Sequence, residues 1–265
     1  MDFLLECIGF SPAWDLEAVT RAIRDSGQPT AWRGRDGEHL RLPLAGGLEL
    51  RLDRDGSLSP ALWPFYTSRY RRRVALWNLE RLDDSPGDAI LVGRTDPPAP
   101  SSPFDEHDGH DLTCYLTDAA RLPRALPRGH VLAIMFAGFA LQVDYIGPNE
   151  DSPNRYDSGD DLLEQPHGAA IAPLGDSASP AACMQISMRI RTITHLKNEL
   201  TGAPVSRIEL DAPGTPLEVF ISPWQLADDD LPPPRPGHRI EGVFLMLGRV
   251  AGGLPRKRRD GVAFG

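Results

Sequence analysis

Leu16, Val19 and Ile23 recur at helical spacing from Asp15, which gives a short helix one apolar face. Ser11 or Asp15 is placed to cap that helix and Gly27 to stop it. Two runs follow in which apolar and polar residues alternate, His39–Leu42 and Leu48–Leu52, parted by Gly46-Gly47. Asp55-Gly56 ends the second run. Alternation puts the apolar residues of a strand on one face, so a hairpin packed on the helix would bury both apolar surfaces. Residues 1–60 therefore read as a small α+β unit.

Beyond residue 60 the strand-like runs occur twice in one order. Arg73–Leu79, Ala89–Val92, Leu112–Thr117 and Gly129–Phe136 come first. Met184–Ile193, Val205–Leu210, Leu217–Ser222 and Gly237–Phe244 follow. Gly129-His130 and Gly237-His238 stand 108 residues apart, and Leu112–Thr117 and Leu217–Ser222 stand 105 apart. Self-similarity in a fixed order marks duplicated units, and an interval this long means whole domains, not solenoid repeats. About five strands with a variable connection after the third fit a five-stranded Greek-key barrel of the OB type, with an SH3-like or other small barrel as the competing architecture. The alternation from Met184 slips near Arg191–Ile193, as a β-bulge in a long, bent first strand requires. The expected fold is mainly β: the N-terminal α+β unit, an OB-like barrel over 61–147, a linker over 148–182, and a second OB-like barrel over 183–265.

Composition narrows this picture. The 265 residues include 25 Gly and 26 Pro, which favours short strands joined by turns over a helical bundle. The net charge is −9, and residues 148–180 alone carry one basic and seven acidic groups, as a solvated Pro/Ser/Gly linker would. A short helical turn fits Asp161–Gln165, and 96–111 forms a second insert. Such a charge opposes general attraction to nucleic acid. Cys7, Cys114 and Cys183 are too few and too scattered for a disulfide framework, which points to a reducing cytoplasm. The start, Met1 to Cys7, lacks the basic and apolar regions of a signal peptide. The longest apolar run, Val131–Leu141, is about half of what a helix needs to cross a bilayer, so a soluble protein with no membrane partner is expected.

Thr194, Asn198 and Thr201-Gly202, the run Leu217–Pro223, and Pro236-Gly237 with Gly242-Val243-Phe244 and Gly248-Arg249-Val250 form a pattern. It resembles a family of uncharacterised bacterial proteins with tandem OB-like barrels. The resemblance covers about a third of the chain, and more loosely Gly47–Leu52 and Trp63-Pro64-Phe65. It implies a fold and no activity.

Three groups of side chains could carry function. Trp63, Phe65 and Tyr66, with Tyr70, interleave with Arg69, Arg71, Arg72 and Arg73. Arg189, Arg191 and Lys197, with the basic tail 256–259, could extend that track. Aromatic faces stack bases and guanidinium groups hold phosphates, as single-strand binders use them. The competing reading is that Trp63-Pro64-Phe65 pins the N-terminal unit to the first barrel. The arginines then cover a solvated face and pair with Glu80, Asp83 or Asp84. Asp105, His107 and His110, within an acidic run that ends at Asp111, are metal-ligand types. A loop that orients neither ring makes a solvated acidic insert the competing reading. His130 and His238 fit a structural role after a Gly turn, and Trp224 fits a barrel plug.

No Gly-x-Ser-x-Gly, phosphate loop or His-Glu-x-x-His is present. No catalytic residue and no cofactor is therefore assigned. The function expected is a non-enzymatic, cytoplasmic binding module with a protein partner. A single-stranded nucleic-acid binder is the first alternative, and a metal-dependent hydrolase the second.

Overall fold

The computed structural model describes residues 2–30, 37–56, 59–97, 109–152, 169–174, 181–212 and 214–254. Helix α1 runs over Leu16–Ser26. Asp15 caps it by accepting from the Glu17 N–H, and the Gly27 N–H closes the far end on the Ile23 carbonyl. Val19 and Ile23 are buried, as the spacing requires.

Four antiparallel strands follow in chain order: β1 (Gln28–Pro29), β2 (Gly37–Pro43), β3 (Leu48–Asp55) and β4 (Ala61–Tyr66). The expected hairpin is β2–β3, with Leu40 opposite Leu52 and Leu42 opposite Leu50. It turns through Gly46 and Gly47 at φ 69° and 89°, conformations that favour glycine. Strand β4 pairs along β3 from Tyr66 opposite Leu48 to Ala61 opposite Asp53. Residues 61–66, expected at the head of the first barrel, thus complete the N-terminal sheet.

The second sheet has nine strands. They are β5 (Arg72–Arg81), β6 (Ala89–Thr95), β7 (Asp111–Leu116), β8 (Val131–Gly147), β9 (Ala170–Pro173), β10 (Cys183–Lys197), β11 (Pro204–Leu210), β12 (Leu217–Phe220) and β13 (Arg239–Gly252). Helix α2, Pro223–Asp228, joins the last two. The chain is therefore mainly β, with little helix and two sheets.

Two long strands organise the second sheet. β8 has 17 residues and β13 has 14, and they pair antiparallel from Gly147 opposite Arg239 to Ala133 opposite Gly252. Both faces of β8 are buried around Phe136–Ala140, which is what an uninterrupted apolar run becomes in a sheet. Each end of this pair closes a ring. In the first, β5, β6 and β7 are antiparallel neighbours. β7 then lies parallel to β13 at Tyr115 opposite Leu247, and β8 returns to β5 at Ile134 opposite Arg72. In the second, β10, β11 and β12 are antiparallel neighbours. β12 lies parallel to β8 at Phe220 opposite Phe139, and β13 returns to β10 at Ile240 opposite Met188. The tandem expectation gave each half its own strands. The pairing instead draws β13 into the first ring and β8 into the second.

The two Gly-His pairs make matching backbone hydrogen bonds. Gly129 N–H donates to Leu76 O at 2.6 Å, and Leu76 N–H donates to His130 O at 2.9 Å. Gly237 N–H donates to Ile190 O at 2.8 Å, and Ile190 N–H donates to His238 O at 2.7 Å. One residue further on, each first strand bulges, between Leu76 and Asn78 and between Ile190 and Thr192. The bulge expected near Arg191 thus has a twin at Trp77.

Within the expected linker, β9 adds an edge strand to β10, with Ile171 opposite Ile186. The helical turn expected over 161–165 lies outside the described residues, as does the basic tail. In α2 the buried side chain is Leu226, while Trp224, the expected plug, is half-exposed.

Strand β4 docks the N-terminal sheet across both rings. Trp63 stacks on Tyr115 with ring centroids 5.1 Å apart, and Tyr66 meets Phe220 at 4.9 Å. Tyr115 and Phe220 hold matching positions in β7 and β12, at the 105-residue interval.

Candidate functional site

The aromatic cluster read from sequence lies in this docking surface. Phe65 is fully buried, and the Arg249 guanidinium sits 3.7 Å above its ring centroid. Arg249 is itself paired with Glu49. Tyr66 donates to Glu218 Oε1 at 3.1 Å and Ser68 to Glu218 Oε2 at 2.5 Å, while Arg207 donates to the Tyr66 hydroxyl at 3.0 Å. Glu218 is buried, and taking one partner from a buried charge network leaves the others desolvated and uncompensated. Trp63, Phe65 and Tyr66 thus have their faces occupied by protein and join the N-terminal sheet to the rest.

The cations disperse. Arg69 pairs with Glu209 at 2.5 Å, not with the acids of 80–84, and Tyr70 donates to the same carboxylate at 3.2 Å. Arg71 and Arg73 are exposed at the head of β5, where Arg73 donates to Pro97 O at 3.3 Å. Arg189 pairs with Asp211 at 2.8 Å. Arg191 occupies the bulge of β10 and is exposed, and Lys197 is exposed at that strand's end.

Of the metal-ligand candidates, Asp105 and His107 lie outside the described residues. His110 is not in a solvated loop but buried, with Nδ1 3.2 Å from Thr95 Oγ1. Burial lowers its pKa to about 3, helped by the Arg72 and Arg94 charges, so the ring is neutral at ordinary pH. Among the described residues, no group of three or more His, Cys, Asp or Glu side chains is set to hold a metal ion. The buried thiols are poor nucleophiles: burial pushes Cys7 up to about 12 and Cys114 higher still. His130 Nε2 donates to Gly253 O at 2.8 Å, a structural contact of the kind expected.

A site that the sequence reading did not single out lies at one end of the first ring. Arg72 shares its strand face with Val74 and Leu76, Thr95 with Gly93 and Leu91, and Phe136 with Ile134. His110 is in phase with Leu112 and Cys114. All four therefore project into the ring's mouth. Arg72 is only 3% exposed. Its Nη1 lies 3.7 Å from Asp96 Oδ2, beyond hydrogen-bond reach, and its guanidinium carbon is 5.9 Å from the Phe136 centroid. Among the described residues, neither Nη1 nor Nη2 has a hydrogen-bond acceptor, and His110 Nε2 has no partner either. Burial draws the Arg72 pKa down to about 10 against the pull of Asp96, so the group stays cationic. Beside it lies a small cleft of about 10 Å³, room for roughly one water, lined by Tyr70, Ile134, Phe136, Pro216 and Leu217.

Arg72 sits inside the run Arg71-Arg72-Arg73, whose other two members are exposed. The signal that distinguishes it is phase: it alternates with Val74 and Leu76, so an arginine stands where the pattern calls for an apolar residue.

Comparison with known protein families, with curated proteins and with solved structures finds no match for this chain.

Proposed function

We propose that this chain is a non-enzymatic binding module built on two OB-like barrels that exchange a strand, with its ligand taken at the mouth of the first. Three features support the OB-like reading. In each ring the order is first, second, third, borrowed and fourth strand. The third strand is parallel to the borrowed one. A helical turn follows the third strand: Ala119–Arg121 in one ring and α2 in the other. The likeness to bacterial proteins with tandem OB-like barrels belongs to the same proposal. So does a cytoplasmic setting, supported by three free cysteines. No helix among the described residues is long and apolar enough to cross a membrane.

One observation carries the functional reading. The buried charges at the docking surface hold one another, as Arg249 holds Glu49 and Arg207 holds Tyr66 and Glu209. Arg72 is buried as deeply, yet among the described residues its two terminal nitrogens have no acceptor. A buried cation held this way costs stability, and a ligand that supplies the missing acceptor recovers it. With the aromatic faces occupied and a net charge of −9, a protein partner suits this surface better than a polyanion.

The test is affinity capture with wild type and Arg72→Met as parallel baits, repeated with purified components. A partner held by wild type, lost by the variant and raising the melting temperature by mass action is the expected result. Equal capture by both baits, or salt-dependent binding of single-stranded oligonucleotides at low ionic strength, overturns the proposal.

A further inference from the structure

The first ring's mouth also indicates what chemistry it accepts, an inference that rests on the binding-module reading. We propose that it is a carboxylate receptor, in which the Nη1/Nη2 fork of Arg72 grips the two oxygens of a carboxyl group whose stem lies against Phe136, Tyr70 and Leu217.

The fold itself does not call for a charge here. The registers of the two rings make Ile186 the counterpart of Arg72, because Arg72 faces Ile134 and Ile186 faces Gly242, positions separated by the 108-residue interval. Hydrocarbon fills that place in the second ring, where Ile186 is fully buried. Other buried guanidinium groups have a close partner: even Arg51, whose Nε and Nη2 make no hydrogen bond among the described residues, lies 2.7 Å from Asp53 Oδ2. Arg239 donates to Ser187 Oγ at 2.9 Å and to Asn149 Oδ1 at 2.8 Å, and Arg249 is bidentate on Glu49. At Arg72 the nearest carboxylate oxygen is 3.7 Å away. Among the described residues the mouth is therefore arranged around a cation without hydrogen-bond acceptors, which a ligand would supply.

The donor set selects the ligand. A planar guanidinium offers two parallel N–H groups that match the two oxygens of a carboxylate. Phosphate carries more charge and more oxygens, and its sites gather several donors. Here the cleft beside Arg72 is lined by Ile134, Phe136, Pro216 and Leu217, and the mouth adds only one neutral imidazole, His110, and the Thr95 hydroxyl, which is already bonded to His110 O. Tyr70, on the rim, is hydrogen-bonded to Glu209, which sets a negative charge close by and disfavours a dianion. A single charge on an apolar stem fits. An acidic side chain, a chain terminus and a small organic acid all present it.

The experiment titrates the full chain with acetate, propionate and inorganic phosphate at constant ionic strength. It follows the Arg72 guanidinium resonances by NMR together with the melting temperature. Two short peptides, one with an internal Glu and an amidated end and one with a free C-terminus and no acid, separate the protein sources from free acids. The expected result is a saturable shift of the Arg72 signals with acetate, and a rise in melting temperature that follows mass action. One peptide then binds at least about tenfold more tightly than acetate if the source is a protein, and neither does if it is a small acid. Arg72→Met abolishes the response. Arg72→Ile, which installs the second ring's residue, abolishes it too and folds with an undiminished melting temperature. No saturable shift with any carboxylate, an unchanged response in both variants, or tighter binding of phosphate than of acetate overturns the proposal. Loss of partner capture in Arg72→Met without any carboxylate response removes the ligand class and leaves the binding reading standing.

Discussion

Arg72 and Phe136 at the mouth of the first ring correspond to Ile186 and Phe244 in the second by the registers of the paired strands, and counting on past the Leu210–Leu217 pair sets Ala212 and Thr215 against Thr95 and His110. Around both sets the backbone devices are the same: a Gly-His turn, a bulge one residue beyond it, and a third strand closed in parallel on a long shared strand. The side chains differ. The second ring has Ile186 and Phe244 fully buried there, and β9 pairs over β10 beside Ile186. The first ring has a cation and an imidazole in the corresponding places. Main-chain pairing that closes a ring constrains its strands regardless of what fills the interior, so the side chains at one mouth can differ from those at the other.

Three changes probe how far the two rings differ. The largest effect is expected from Phe139→Ala, where β8 passes from one ring into the other and Phe139 stacks on Phe220 at 5.3 Å. Losing so buried an aromatic costs about 3–5 kcal/mol. Because β8 belongs to both rings, urea unfolding followed by tryptophan fluorescence and by far-UV circular dichroism should still show one shared transition. Two separated transitions would mean that the rings fold as independent units.

Next comes acid sensitivity, which should belong to the first ring alone. His110 has a folded pKa of about 3 against about 6.5 unfolded. As pH falls below 6.5 the unfolded chain therefore takes up a proton that the folded chain refuses, and stability drops through the window from 6.5 to 3. At about 1.4 kcal/mol per pH unit, the loss reaches roughly 3 kcal/mol at pH 4. His110→Thr, the second ring's residue, should remove that share of the acid slope. Asp118, whose carboxyl is raised by burial, works in the opposite direction but is common to both proteins and cancels in the comparison. Identical acid slopes in denaturant titrations at pH 7 and pH 4 would show that His110 is solvated.

The smallest effect tests what the rings share. Gly129 and Gly237 have φ of 84° and 88°, and a Cβ on either meets no atom within 4 Å. Gly129→Ala and Gly237→Ala should therefore each cost only the backbone strain, about 1 kcal/mol, and to the same extent. Unequal shifts in denaturation midpoint would mean that the two turns have ceased to be equivalent.

Much of this architecture can be read before folding. Asp15 and Gly27 bound α1, Gly46-Gly47 marks the β2–β3 turn, and the slip near Arg191 marks a bulge, because each depends on residues a few positions apart. The 108-residue interval between the two Gly-His pairs marks two matching turns. The site was less legible. Arg72 differs from Arg71 and Arg73 only in phase, and its importance comes from Phe136 and Leu217, which the chain supplies 64 and 145 residues later. The aromatic run Trp63–Tyr66 has the composition of a base-stacking surface, but Tyr115 and Phe220 cover it, and nothing local announces them.

Alone, the sequence determined where the backbone turns and which strand faces are apolar. These follow from capping, from the φ that glycine permits, and from alternation. Only the tertiary structure decided that β8 and β13 are shared between rings, that the N-terminal sheet roofs both, and that Arg72 is left in a mouth without acceptors among the described residues. Strand edges carry the same N–H and C=O groups whatever their side chains. Alternation therefore states which face is buried but not which edge will lie beside it, and that choice is made by packing across the whole chain.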